Sequence, residues 1–310
     1  MTEDMRIFDR AAVRSHRERA APAFEAADFL IREVAERLAE RLEDLSRRFP
    51  LALDLGCHDG LLGRQLQGRG GIETLVQCDL SPAMARRAAS SGRPTLAADE
   101  EVLPFRPASF DLVMSALSLH WVNDLPGSLL QIRQSLKPDG LFLGALFGGE
   151  TLPELRRALF DAESEIEGGV SPRLSPVVDL REAGGLLQRA GFALPVADGD
   201  RITVTYPDLF KLMADLRAMG EANAVIGRRP GFTRRETLLR AAQLYQERHA
   251  QPDGRLPATF QVLYLTGWAP HVSQQQPLRP GSARLRFADA LGAEEQAAGE
   301  RIAGQRKRDG

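Results

Sequence analysis

A glycine-bearing turn after a short apolar run is the stretch best suited to bind a ligand. Residues 51–60 read LALDLGCHDG, and the following LLGRQL has the pattern of a helix. A buried strand, a tight turn and a helix N-terminus bring free backbone N–H groups to one place, where they favour an anionic group. We therefore expect Asp54, Gly56, Cys57 and Gly60 to line a ligand site.

A second acid follows one strand later. Residues 74–80 (TLVQCDL) have the pattern of a strand that ends at Asp79 and Leu80. A carboxylate about 20 residues past a glycine turn suits the hydroxyls of a ribose, which NAD and S-adenosylmethionine both carry. The dinucleotide pattern G-x-G-x-x-G is not met, whereas D-x-G-x-x-x-G from Asp54 is closer to S-adenosylmethionine sites. Taken alone, the loop is also compatible with an ordinary strand-to-helix turn.

Composition sets the broad class of the protein. The 310 residues are 43% apolar and carry a net charge of −2, which predicts a large core and no general attraction to nucleic acid. Cys57 and Cys78 fit a reducing compartment and are expected to be small buried hydrophobes. The sequence shows neither a secretory leader nor about 20 consecutive apolar residues, so we predict a soluble, cytoplasmic protein without a transmembrane segment.

The first half of the chain alternates between strand and helix patterns. Apolar spacing predicts one long helix over about 24–48, behind an N-terminal arm. Ser81 is expected to cap a helix, and a helix from Asp124 is expected to stop at Pro138 and Gly140. Strands are predicted at 51–55, 74–80, 111–115 and 140–149, with a short one within 95–105. This alternation predicts a parallel, doubly wound sheet.

The pattern changes after Gly149. Thr151 and Glu154 match a capping box, and Thr233 is expected to cap a later helix. Further helices are predicted over 179–192, 206–220 and 233–250, and strands over 200–206 and 256–268. The resulting domain organisation is an N-terminal arm and helix (1–48), a core (49–272) with a helical insertion at about 207–250, and a flexible tail (273–310).

Several motifs resemble known families. DLGC (54–57), Asp79, ADEEVLPF (98–105), FDLVMSALSLHWVNDLPG (110–127) and LKPDG (136–140) resemble class I S-adenosylmethionine-dependent methyltransferases. A narrower resemblance, to the methyltransferase-like assembly factors of respiratory complex I, is carried by IFDR (7–10), FGGETLPELR (147–156), GGVSPRLSP (168–176), YPDLFKLMADLRAMGEAN (206–223) and LPATFQVLYLTGW (256–268). It implies a Rossmann-like class I methyltransferase fold, with a mostly parallel seven-stranded sheet and a C-terminal helical elaboration. It also implies hydroxylation of an arginine on an iron–sulfur subunit of complex I.

The same resemblance implies S-adenosylmethionine as the cofactor. The glycine turn would line its methionine portion, Asp79 its ribose, Asp99 and Glu100 its adenine, and Ser115 its sulfonium. The predicted cofactor residues are Asp54, Gly56, Cys57, Gly60, Asp79, Leu80, Asp99, Glu100 and Ser115. Relatives commonly have glycine where this chain has His58, so we expect the imidazole to crowd the methionine end.

Residues outside the cofactor site are candidates for catalysis and substrate binding. His120 is the candidate base, although with Trp121 it also fits a packed lid edge. If the substrate is an arginine side chain, carboxylates should meet its guanidinium, and Glu150 and Glu221 are candidates, with solvated surface acids as the alternative. None of the five histidines stands in an H-x-D/E pair, so no metal site is predicted.

Three functions stay open from the sequence. The first is a cofactor-dependent enzyme that modifies a complex I subunit. The second is a methyltransferase acting on a small-molecule or acyl-carrier carboxyl, and the segments after residue 147 argue against it. The third is a non-catalytic assembly chaperone that binds S-adenosylmethionine. The partner implied is the complex I iron–sulfur subunit, without nucleic acid, and a peripheral association with inner-membrane assembly intermediates is compatible with it.

Overall fold

A seven-stranded sheet organises the molecule. The computed structural model describes residues 6–229, 231–275, 289 and 291–294. The strands are β1 (Leu51–Leu55), β2 (Thr74–Asp79), β3 (Thr95–Ala97), β4 (Phe110–Ala116), β5 (Leu136–Phe147), β6 (Ala193–Tyr206) and β7 (Leu256–Trp268). Their order is β3-β2-β1-β4-β5-β7-β6, with β7 antiparallel to both of its neighbours and the other pairings parallel.

Helices cover the sheet on both faces. They are α1 (Arg10–Ala20), α2 (Phe29–Glu43), α3 (Leu61–Leu66), α4 (Pro82–Ala89), α5 (Leu125–Ser135), α6 (Pro153–Glu167), α7 (Leu180–Arg189), α8 (Leu209–Ala218) and α9 (Arg235–His249). Two large apolar clusters fill the layers, one around α2, α6 and α9 and the other around α5 and α7. The strand order turns back at β1, and this arrangement places a crevice at the carboxyl ends of β1 and β4. The predicted fold class is confirmed.

The region before β1 differs from the prediction. Residues predicted as an arm contain α1, whose cap is Asp9: its side chain accepts a hydrogen bond from the N–H of Ala12 at 3.0 Å. The helix predicted over 24–48 is wrong at both ends, because a 3₁₀ turn occupies Ala21–Ala26 and α2 spans Phe29–Glu43. Apolar spacing did not predict α1, because one of the few buried residues of this helix is an arginine, Arg17.

The predicted end of α5 is also wrong. The helix stops at Ser135, and LKPDG forms the start of β5 instead of a helix terminator. Leu136 already pairs with Phe110 of β4, so pairing begins before Pro138 and Gly140. The sheet therefore takes residues that local turn signals assign to a loop.

Two predicted caps are wrong because β7 and a neighbouring loop offer better partners. Thr151 donates to the carbonyl of Gln261 at 3.0 Å, and Glu154 accepts from the hydroxyl of Thr259 at 2.6 Å. The cap position of α6 is Leu152. Thr233 accepts from Arg173, and the cap position of α9 is Arg234.

The chain up to Val272 forms one compact unit. None of the helices in the described part of the chain combines the length and the apolar character that a membrane span requires. Most of the tail that the sequence predicts to be flexible, from Ser273 onward, lies outside the described residues.

Candidate functional site

The glycine turn is held tightly against β2. The N–H groups of Gly56 and Cys57 both donate to the carbonyl of Cys78, at 2.8 and 2.9 Å, so they are engaged within the chain. Gly56 has a positive φ of 69°, and a Cβ there would lie 2.0 Å from Ser118 Oγ. Only glycine fits at this point. Gly60, with φ of 84°, is the N-cap residue of α3.

His58 is built into the wall of the crevice. Its φ of 51° lies in the left-handed region. Its Nε2 is 3.1 Å from the carbonyl oxygen of Ala116, and its ring stacks on Phe24 with centroids 5.5 Å apart. Burial, and then the charge of Arg17, lower the pKa of His58, so the imidazole is neutral at pH 7. Its Nδ1 is buried and has no hydrogen-bond partner among the described residues.

Asp79 ends β2 in full burial. Its Oδ2 accepts from the N–H of His58 at 3.0 Å, and its Oδ1 accepts from the N–H of Ser81 at 2.7 Å. Arg17 Nη1 approaches Oδ2 at 3.3 Å. This carboxylate therefore connects the glycine turn, the start of α4 and helix α1.

Two arginines of α1 reach the predicted cofactor acids. Arg17, 1% exposed, donates to Glu100 Oε1 and to Ser118 Oγ, both at 2.8 Å. Arg10 donates to Asp99 at 2.5 Å and also pairs with Glu100. Burial alone would raise the pKa of Glu100, but Arg17 and Arg10 together hold it well below its usual range. Glu100 is thus an ionised carboxylate inside the protein.

Two oxygens on the floor of the crevice lack partners. Asp54 accepts from Gln77 Nε2 at 3.1 Å, but its Oδ1 and the hydroxyl of Ser115 are buried without a hydrogen-bond partner among the described residues. Burial raises the pKa of Asp54 to about 7. Buried polar atoms normally find a partner, so these oxygens are sites where a ligand or an ordered water is expected.

A second concavity lies next to the crevice. It has a volume of about 330 Å³ and is lined by His120, Trp121, Glu221, apolar side chains that include Phe147 and Leu155, and five arginines. The arginines are Arg156, Arg173, Arg217, Arg228 and Arg229. Three of them are paired with acids: Arg173 with Glu163, Arg228 with Asp9 and Arg229 with Glu167.

Glu221 Oε2 is 3.0 Å from His120 Nε2 and accepts from Trp121 Nε1 at 2.9 Å. Burial acts to raise the pKa of Glu221, but the charge and hydrogen bond of His120, together with nearby charges that include Arg17, act against it, and overall the pKa is lowered. Within the described part of the chain, Glu221 Oε1 has no hydrogen-bond partner.

The structure separates the two substrate candidates. Glu221 and His120, which are 101 residues apart in the chain, meet in this cavity. Glu150 does not join them: it is exposed and pairs with Arg201 at the surface. In the described ranges, no group of three His, Cys, Asp or Glu side chains could hold a metal ion.

Sequence reasoning missed three residues of the crevice: Arg10, Arg17 and Ser118. Arg10 lies in the IFDR motif, and Arg17 is seven residues later, so both fall on one face of a helix. That spacing is the only local signal, and it is visible only once α1 is recognised as a helix.

Comparison with known proteins identifies the family. Residues 53–144 match the family model of a methyltransferase domain. The chain is 46% identical to arginine-hydroxylase NDUFAF5, mitochondrial, from Homo sapiens, over 92% of this chain and 83% of that protein. The protein from Danio rerio is 45% identical over 93% and 90%. The chain belongs to the NDUFAF5 arginine-hydroxylase family.

Two further matches of this chain are more distant in sequence. The malonyl-acyl-carrier-protein O-methyltransferase of Halorhodospira halophila is 37% identical over 91% of this chain and 95% of that protein. The crystal structure of the YcgJ protein from Bacillus subtilis superimposes with a TM-score of 0.54, at 15% identity, over 76% of this chain and 98% of that one. The identity to NDUFAF5 is higher, so the family predicted from the sequence motifs, complex I assembly factors of methyltransferase fold, is confirmed.

Proposed function

We propose that the protein binds S-adenosylmethionine in the crevice and modifies an arginine side chain of a protein substrate in the adjacent cavity. The observation that carries this proposal is Glu221, whose Oε1 has no partner among the described residues and which is the one carboxylate among the described residues that line the cavity. Of the five arginines that also line it, three are already paired with acids of the chain. A guanidinium pairs strongly with a carboxylate, and the aliphatic stem of arginine suits apolar walls. The family name of the relatives agrees with this substrate.

The chemistry of the crevice fits the cofactor. Asp79 stands at the end of β2, where a ribose diol is expected. The unpaired oxygens of Asp54 and Ser115 offer acceptors for an ammonium group and for hydroxyls. When bound, S-adenosylmethionine supplies a methyl group made electrophilic by its sulfonium. The residues proposed to hold it are those predicted from the sequence: Asp54, Gly56, Cys57, Gly60, Asp79, Leu80, Asp99, Glu100 and Ser115.

The cavity residues position the substrate. Glu221 receives the guanidinium, and His120 and Trp121 fix the carboxylate by their contacts at 3.0 and 2.9 Å. Leu155 and Met213 exclude water around the stem, which strengthens the ion pair. Hydroxylation replaces a C–H bond by C–OH, so dioxygen and a two-electron reductant are required as co-reactants, with water as the second product.

Intact-mass analysis of the proposed partner, the complex I iron–sulfur subunit, tests the reaction. After incubation with the protein, a gain of about 16 Da indicates hydroxylation and about 14 Da indicates methylation. The expected gain maps to one arginine and disappears with the Glu221→Gln variant. An unchanged mass under supply of dioxygen, reductant and S-adenosylmethionine contradicts the enzymatic proposal and favours an assembly chaperone.

A carboxyl methyltransferase is the second candidate, favoured by the relative at 37% identity and by the five arginines that line the cavity, which suit a carboxylate. A methyl ester on an acyl-carrier protein, detected by mass, would support it. The cytoplasmic location stays a prediction, because the NDUFAF5 relatives named above are mitochondrial.

A further inference from the structure

Two of the five arginines that line the cavity lack an acidic partner in the described part of the chain. The other three are each paired with an acid, so their charges are compensated. The two exceptions are Arg156 of α6 and Arg217 of α8. Arg156 Nη2 donates to the carbonyl of Ser175 at 3.4 Å, and this contact leaves the charge of the guanidinium uncompensated.

These two guanidiniums lie at the mouth of the cavity, and the carboxylate of Glu221 lies inside it. Arg156 and Arg217 are both exposed, whereas only 8% of the Glu221 side chain is exposed. A ligand that approaches the cavity therefore meets two positive charges before it reaches the negative one. These charges repel an isolated arginine, but they attract a segment in which the arginine has acidic neighbours.

Two loops on the same rim expose apolar side chains. Phe232 is fully exposed, and Ile226 and Val170 are each about half exposed. The loops are joined to each other, because Arg173 Nη1 donates to Thr233 Oγ1 at 2.6 Å, so this part of the rim is organised before a ligand arrives. Exposed apolar side chains beside a charged cavity are typical of a contact site for another protein. They favour a protein segment over a small molecule as the ligand.

We propose that the mouth of the cavity is a docking surface for an acidic segment of the partner protein, in which carboxylates close to the modified arginine pair with Arg156 and Arg217. The proposal rests on the proposed function, because it takes an arginine side chain as the group that reaches Glu221. Arg156 and Arg217 then select the substrate through the neighbours of the reacting residue, and they do not touch the reacting atoms.

Binding of two synthetic peptides to the full chain, measured by fluorescence anisotropy, tests this docking surface. Each peptide has one central arginine, whose neighbours are aspartates in the first peptide and asparagines in the second. The aspartate peptide is expected to bind about tenfold tighter at low salt, because each exposed ion pair adds a small gain. Added salt should reduce this preference, since it screens exposed charges.

Substitution of the two arginines links the preference to the rim. The double variant Arg156→Gln/Arg217→Gln should distinguish the two peptides by less than about twofold. For modification of the aspartate peptide, the same variant should raise KM about tenfold and leave kcat within about twofold, because the lost contacts are not made by the reacting group. Arg157→Gln is the matched control, since Arg157 is exposed on the same helix as Arg156 and already pairs with Asp161 at 3.0 Å. It should keep the tenfold preference.

Three outcomes contradict the docking surface and are distinguishable from one another. If the wild type binds and modifies both peptides equally well, the rim does not select acidic neighbours, and the proposed function stands without it. If a third peptide, with the aspartates kept and glutamine in place of the arginine, binds as tightly as the first, the cavity recognises carboxylates alone. The proposed function then fails with the docking surface, and the carboxyl methyltransferase is favoured. If no peptide binds or is modified, both proposals fail.

Discussion

The crevice and the cavity beside it each contain a buried carboxylate, and the two carboxylates differ in how fully they are hydrogen-bonded. In the crevice, Glu100 is fully buried and accepts hydrogen bonds from Arg10, Arg17 and Ser118. In the cavity, Glu221 is held on one oxygen by His120 and Trp121, and its second oxygen has no partner among the described residues. The first carboxylate is satisfied within the chain, and the second retains the capacity to bind a cation.

This difference separates stability from binding. Removing one partner from a satisfied buried ion pair leaves a charge without compensation, so the fold loses free energy. Altering a carboxylate with a free oxygen removes a binding group and changes the fold little. Substitutions in the crevice should therefore act first on stability, and substitutions in the cavity first on activity.

The largest effect is expected from Glu100→Ala. It leaves Arg17 buried with only a 3.3 Å contact to Asp79 and one to Ser118, and breaking such a pair costs about 3–5 kcal/mol. Urea unfolding measures the loss. A change below about 1 kcal/mol would mean that Arg17 leaves the crevice at little cost, and the contrast between the two regions would then be wrong.

Asp54 tests whether the floor of the crevice is strained by an unpaired oxygen. Its pKa in the folded protein is raised from 3.8 to about 7, so the fold favours the protonated form. The stability that the protonated Asp54 carboxyl contributes is fully present below pH 3.8 and is lost as the pH rises through about 7. Compared with Asp54→Asn, the wild type should lose at most about 4 kcal/mol between these limits.

Urea unfolding at several pH values measures this difference. The control is Asp198→Asn, a half-buried carboxylate paired with Arg41. If the wild type and Asp54→Asn depend on pH in parallel, Asp54 is not protonated in the fold and an unseen partner satisfies its Oδ1.

Glu221→Gln tests the cavity, where we expect an effect on activity and little effect on stability. The amide oxygen can still accept a hydrogen bond from Trp121, so the free energy of unfolding should change by no more than about 1 kcal/mol. Modification of the arginine substrate should fall about 100-fold, since a charge-assisted pair is replaced by a neutral contact. The matched control is Glu150→Gln, because Glu150 is exposed and pairs with Arg201 at the surface. Equal losses in the two variants would remove Glu221 from the substrate site.

The sequence predicted the parts of this site that depend on local signals. Gly56 and Gly60 mark the turn, and alternating strands and helices place Asp79 at a strand end beside it. It did not predict Arg17, because arginine is ordinarily exposed and its partners lie 62, 83 and 101 residues away. The pairing of His120 with Glu221 depends in the same way on the path of the whole chain. The cofactor contacts themselves stay predictions.

The smallest effect concerns His58, which stands where the family resemblance led us to expect glycine. Its left-handed φ of 51° disfavours any side chain by about 1–2 kcal/mol, and glycine removes that cost. The contacts of the ring with Ala116 and Phe24 act in the opposite direction. His58→Ala loses the contacts and keeps the strain, so it should unfold about 1–2 kcal/mol more easily than His58→Gly. His58→Gly itself should lie within about 1 kcal/mol of the wild type.

Calorimetry on His58→Gly then decides whether the imidazole obstructs the cofactor. The ring is fixed between the end of β4 and Phe24, so it is not free to enter the crevice, and the affinity for S-adenosylmethionine should change less than about threefold. An increase above about tenfold would show that the imidazole does crowd the methionine end, as expected from the sequence.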